Sequence, residues 1–156
     1  MTQKTNQFNL TTKRYTEENI RGYVNKGAFV YCSDIKDKFG DNGITIAGIF
    51  IPLSDTEIEI DSYLLSCRIL GRDIEIVTLQ YILNYFQRKG FVSIRATFIP
   101  TGKNILAAEF LDRVGFSLIE SNSGTKYYHL DLQRPFAIKE YYKISMYGGK
   151  GQSNNG

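Results

Sequence analysis

The chain is 156 residues long, 42% hydrophobic and 22% charged, with a formal net charge of +3. That size supports one globular domain with a real core. The scattered Lys and Arg residues, never interleaved with aromatics in a basic stripe, argue against nucleic-acid binding, and no apolar run reaches the length of a membrane span or the core of a signal peptide. Two cysteines, Cys32 and Cys67, with the single histidine His129, are too few for a zinc site or a disulfide scaffold. Both thiols are expected to be buried, and the cytoplasm is the expected location. The mild positive balance suits an acidic ligand, such as a phosphate or an acidic carrier protein.

In chain order, the polar residues 1–8 read as a lead-in, and Phe8–Thr12 as a short first strand. Thr16 followed by Glu17 and Glu18 predicts a helix N-terminus. That helix runs to about Lys26, with Ile20, Tyr23 and Val24 inward and Gly27 as its stop. Three strands follow: Ala28–Lys36, Ile44–Ile51 and Thr56–Ser66. The first turn is expected at Lys38–Gly43, on the hairpin signal Asn42-Gly43, and the second at Ser54-Asp55.

Ile76, Val77, Leu79, Ile82, Leu83 and Phe86 have helical spacing, which predicts a helix over 73–89 stopped by Gly90. Phe91–Ile99 reads as a strand, and Asn104–Arg113 as a short helix with Ile105, Leu106, Ala108 and Leu111 or Phe110 inward. A hairpin of 114–120 and 126–132 closes the domain around Ser121–Gly124. The domain is expected to span 1–134, with a C-terminal extension over 135–156 that is disordered from about 147. A meander leading into a strand–helix–strand crossover is a mixed-sheet α+β architecture.

The chemistry concentrates at the junction Asp61–Asp73, where a strand feeds a helix through Arg68-Ile-Leu-Gly71-Arg72. A helix start presents free N–H groups and favours a phosphate or pyrophosphate; the alternative is a plain turn with solvated arginines. Cys67 beside this turn is a candidate acyl-thioester residue or a small buried thiol. Glu57, Glu59 and Asp61 share one strand face, and Asp61, nearest the turn, is the candidate general base or part of a solvated face. Asn104 is a ligand contact or simply a helix N-cap.

The order of elements, the Arg68-x-x-Gly71-Arg72 turn and Asn104…Ala107…Phe110-Leu111…Gly115-Phe116 resemble the GNAT acetyltransferase fold. A closer resemblance lies in four blocks, over 5–16, 37–43, 60–72 and 100–104. They are Thr5-Asn-Gln-Phe-Asn-Leu-Thr-Thr-Lys-Arg-Tyr-Thr16, Asp37-Lys-Phe-Gly-Asp-Asn-Gly43, Ile60-Asp-Ser-Tyr-Leu-Leu-Ser-Cys-Arg-Ile-Leu-Gly-Arg72 and Pro100-Thr-Gly-Lys-Asn104. They look like the C-terminal GNAT-like domain of FkbH-like proteins of HAD-superfamily subfamily IIIC, which in polyketide pathways load a glyceryl unit onto an acyl carrier protein.

The resemblance implies coenzyme A, acyl-CoA or a protein-bound phosphopantetheine arm as cofactor, without a metal. The arm would lie between splayed strands along Leu65 and Ser66, with its phosphate at Arg68, Gly71 and Arg72 and a further contact from Asn104. It implies an acyl carrier protein and an N-terminal HAD domain as partners; the chain is then an excised C-terminal domain or a stand-alone relative, and the polar lead-in Met1–Asn6 favours excision. Two departures stand out. Asp73 replaces the small residue that usually closes the pyrophosphate loop, and Leu111 stands where many GNAT enzymes carry a tyrosine acid. Two functions follow: an acyltransferase-type domain moving a short acyl group, or a non-catalytic GNAT-like module that docks a carrier protein for a separate HAD domain.

Overall fold

The computed structural model describes residues 8–11, 13–37, 40–65 and 73–138. Helix α1 (Glu17–Asn25) starts at a capping box in which the Thr16 hydroxyl accepts from the Asn19 amide while the Asn19 side chain accepts from the Thr16 amide. No residue of α1 is fully buried, so Ile20 and Tyr23 only graze the body and Val24 is exposed. Strands β1 (Phe29–Asp37), β2 (Gly40–Pro52) and β3 (Glu57–Leu65) form the expected antiparallel meander. The first turn falls earlier than its sequence signal. Asp37 already pairs with Gly40, so Asn42-Gly43 lies inside β2, and register shifts around Asp34 absorb the offset. Cys32 is exposed on β1 rather than buried, because it alternates with Phe29 and Tyr31, whose rings take the face packed against α2.

Helix α2 (Ile74–Arg88) carries the chain across to β4 (Ser93–Phe98), which pairs parallel with β3. A single 3₁₀ turn (Ile105–Ala107) and the short α3 (Phe110–Val114) replace the continuous helix expected over 104–113. The break resets the phase: Ala107, Phe110 and Leu111 are buried, whereas Ile105 is 70% exposed. Strands β5 (Ser117–Asn122) and β6 (Thr125–Asp131) close the sheet through Ser123-Gly124, both at positive φ, as a two-residue primed hairpin turn requires. Among the described residues the sheet has six strands, in the order β1-β2-β3-β4-β6-β5.

The core is aromatic. Phe86 of α2 has Phe29, Tyr31, Phe50, Tyr85 and Phe91 rings within 5.1–5.8 Å, mostly edge to face. Gly48 of β2 makes room for this layer, since a Cβ there would meet the Phe50 ring at 2.8 Å. Beyond residue 134 the chain stays packed for a few residues: Asn84 of α2 and the Phe136 backbone exchange two hydrogen bonds, of 2.6 and 2.9 Å.

Candidate functional site

The site begins where the central ladder ends. β3 and β4 pair from Glu57↔Ser93 to Ile60↔Ala96, and then part. The splay that the sequence reading required is present, but the chain fills it with its own residues. Phe8–Thr11, expected as a first strand, runs antiparallel to the second half of β3, inside the opening. The Leu65 N–H donates to Phe8 O (3.1 Å), the Leu10 N–H donates to Tyr63 O (3.4 Å), and the Ile99 N–H donates across the gap to Leu10 O (2.9 Å). The Thr11 hydroxyl caps the row by donating to Asp61 O (3.0 Å). Phe8, Asn9, Leu10 and Thr11 are all at most 5% exposed.

Asp61 sits at the mouth of this arrangement. Although it alternates with Glu57 and Glu59, it is not part of a solvated face: it is 6% exposed, and every residue from Ile60 to Leu65 is buried. Glu57 does face outward, paired with Arg95 of β4. One Asp61 carboxylate oxygen accepts from the Lys13 ammonium at 2.9 Å; the other accepts from the Tyr15 hydroxyl and from Ser62 Oγ at 3.2 Å. Burial, and then the bond to Asp61, push the Tyr15 phenol far above its usual range, so it stays a donor at any physiological pH. A general base needs a lone pair aimed at its substrate. Here both oxygens serve to anchor the segment that leads from the inserted strand into α1.

Asn104 is placed with equal economy. It is fully buried and makes no capping bond to the turn that follows, so the capping account does not hold. Its Nδ2 donates to Asn9 O (2.9 Å) and Ile99 O (2.8 Å), and its Oδ1 accepts from Thr101 N (2.7 Å) and Thr101 Oγ1 (3.2 Å). Both donors and both lone pairs are thus used within the protein, and the residue pins the inserted strand to the end of β4.

The start of α2 carries its own anions. Asp73, the N-cap, adopts a left-handed conformation (φ 60°), makes no capping bond, and pairs with Arg113 of α3. Glu75, in the first turn, is 2% exposed, lies 3.9 Å from Arg113 Nη1, and has no hydrogen-bond partner at Oε2 among the described residues. Burial raises its pKa, against the lowering effect of its own amide and of Arg113. Two carboxylates at a helix start satisfy the N-terminal dipole from within and oppose a phosphate there. Leu111, at the position of the absent tyrosine acid, is buried in the core.

Glu75 was legible in the sequence, since 75, 79, 82, 83 and 86 share a helix face with four apolar residues. The partners Thr11, Lys13 and Tyr15 were not, because they meet Asp61 across 46–50 residues of chain. The other candidates (Ser66, Cys67, Arg68, Gly71 and Arg72) lie outside the described residues. Among the described residues, no group of three or more His, Cys, Asp or Glu side chains is placed to hold a metal ion, and no helix is long and apolar enough to cross a membrane.

Glu75 yields a prediction with a definite sign. A carboxyl whose folded pKa is raised stabilises the fold fully below its unfolded value near 4.5 and loses that contribution as the pH rises through the folded value. Glu75→Gln should therefore be more stable than the parent at pH 7, by about 1 kcal/mol. The gain should shrink as the pH falls toward 4.5, when followed by urea melts across that range. A variant less stable than the parent at pH 7 would mean that the Arg113 pairing outweighs desolvation.

No protein-family model matches the chain, and no curated protein matches it in sequence. Solved structures do match its fold. A putative GNAT-family acetyltransferase from Desulfovibrio desulfuricans aligns over 74% of this chain and 76% of its own, at 12% identity and a TM-score of 0.59. A GNAT acetyltransferase from Elizabethkingia anophelis, solved with acetyl-CoA bound, aligns over 74% and 83% at 14% identity (TM-score 0.55). The ribosomal-protein-S18-alanine N-acetyltransferase of Escherichia coli aligns over 84% of both chains at 9% identity (TM-score 0.58). At such identities the likeness is one of fold, and the chain has the GNAT acetyltransferase fold: a six-stranded mixed sheet with flanking helices, whose central opening holds a strand of the same chain.

Proposed function

We propose that this domain is a non-catalytic GNAT-like module that docks an acyl carrier protein on behalf of a separate HAD domain, in the manner of the FkbH-like proteins its sequence resembles. The observation that carries the non-catalytic half is the filled opening. The Leu65 N–H, expected to serve a pantetheine arm, is bonded to Phe8 O, and the neighbouring carbonyls of Tyr63 and Asp61 are bonded to Leu10 and Thr11. Coenzyme A does not fit the domain in this form, since its expected place beside Leu65 is taken by Phe8–Thr11. Three further features agree: both oxygens of Asp61 are engaged, α2 opens on two acidic side chains, and Leu111 can protonate no leaving group. The carrier-protein half rests on the four sequence blocks over residues 5–104 and on the net charge of +3, which suits an acidic partner.

The second reading is an acyltransferase-type domain that takes CoA or a carrier-bound phosphopantetheine arm and forms or transfers a short, glyceryl-like acyl unit. It is favoured by the splay itself and by the acetyl-CoA bound in a structural neighbour. Calorimetric titration separates the two. The module should bind carrier protein equally with and without its phosphopantetheine arm, and should bind no CoA. CoA binding that disappears in Gly71→Glu, with turnover of an acyl-CoA, would replace this reading with the acyltransferase.

A further inference from the structure

A second property of the opening holds whether or not a carrier protein docks. We infer that the gap between β3 and β4 is a binding site for an extended peptide strand, and that its ligand is the segment Phe8-Asn9-Leu10-Thr11 of this chain. The recognition has the parts of strand addition to a sheet, with main-chain bonds for affinity and alternating side-chain sites for specificity. Main-chain bonds run to both walls: to Tyr63 and Leu65 of β3, and to Ile99 beyond β4. Phe8 packs edge-on against Phe110, with ring centroids 5.0 Å apart, and Leu10 belongs to the buried core.

Asn9 and Thr11, the alternate residues, have polar fittings. Asn104 donates to the Asn9 carbonyl (2.9 Å), Asn9 Oδ1 accepts from the Thr11 amide (3.2 Å), and Thr11 Oγ1 reaches Asp61 O (3.0 Å). Lys13 and Tyr15 then fasten the exit of the strand to the Asp61 carboxylate. Among the described residues of the segment, neither an apolar side chain nor a backbone bond to the walls is left to solvent, so the site reads a sequence, Phe-x-Leu-Thr, and not merely an extended shape.

A resident strand is an intramolecular competitor at an effective concentration in the millimolar range. A synthetic peptide with the sequence of residues 5–13 should therefore bind the full chain only when the resident strand is weakened. In the full-length Leu10→Ala variant we expect binding at least tenfold tighter than that of a scrambled peptide, and at least a hundredfold tighter than binding of the same peptide to the parent chain. A folded variant that does not distinguish the two peptides overturns the proposal.

Should Leu10→Ala fail to fold, a second measurement decides. Asn9 and Leu64 are directly opposed in the antiparallel bridge. They form a non-hydrogen-bonded pair, whose Cα spacing of about 4.5 Å suits a disulfide. In a chain with Cys32 and Cys67 replaced by serine, Asn9→Cys with Leu64→Cys should cross-link fully on mild oxidation while folded. Its failure to do so overturns the proposal. Neither readout involves a carrier protein, so a failure of carrier docking would count against the proposed function alone.

Discussion

Asn104→Ala is expected to cost the domain about 3 kcal/mol, because the change strands more than it removes. The side chain spans the three pieces of chain that meet at the opening: the inserted strand through Asn9 O, the end of β4 through Ile99 O, and the following turn through Thr101. Alanine takes the amide donor away from the carbonyls of Asn9 and Ile99 and leaves a small void beside them, and a buried polar group that loses its hydrogen bond costs about 1–3 kcal/mol. Asn104→Asp sharpens the test. A helix N-cap accepts Asp and Asn almost equally, but a carboxylate cannot donate to the two carbonyls and would repel both. The expected order of stability is parent, then alanine, with aspartate no better than alanine, read from urea melts at pH 7. An aspartate variant as stable as the parent would contradict the arrangement. Hydrogen exchange at the Leu10 and Leu65 amides should rise in both variants, locating the damage at the inserted strand.

Phe86→Ala should cost more, about 3–5 kcal/mol. Its ring is fully buried and touches five other aromatic rings contributed by β1, β2, α2 and the segment before β4. Removing it opens a cavity walled by stiff rings that cannot collapse into the space, which places the loss at the upper end of the range. Since a domain of this size has a total stability of about 5–15 kcal/mol, the variant should approach the threshold of folding. The midpoint of urea unfolding should fall with little change in slope. A loss under about 1 kcal/mol would mean that the aromatic layer repacks, and that Phe86 is not its centre.

The two variants sample parts of the molecule that differ in how they were written. Phe86 was visible in the sequence as part of the 76–86 periodicity, and burial confirmed its inward face. Asn104 was singled out as a ligand contact or a cap, and nothing local could reveal that its amide serves Asn9, 95 residues away.

Local chemistry determined the element order, the Thr16 cap, the meander, the α2 crossover and the closing hairpin, since periodicity, caps and turn residues act over a few positions. It misplaced the first turn and the helix over 104–113, where pairing and packing overrode Asn42-Gly43 and a helical spacing. The junction from β3 to α2, where the sequence concentrates its candidate residues, lies outside the described residues from 66 to 72. What the tertiary structure alone decided is who occupies the opening between β3 and β4. A short segment such as Phe8–Thr11 can lie at a sheet edge or in a central gap with the same local pattern. The choice fell to long-range terms: the unpaired backbone edge of Tyr63 and Leu65, the apolar sites beside Phe110, and a buried Asp61 requiring Lys13 and Tyr15.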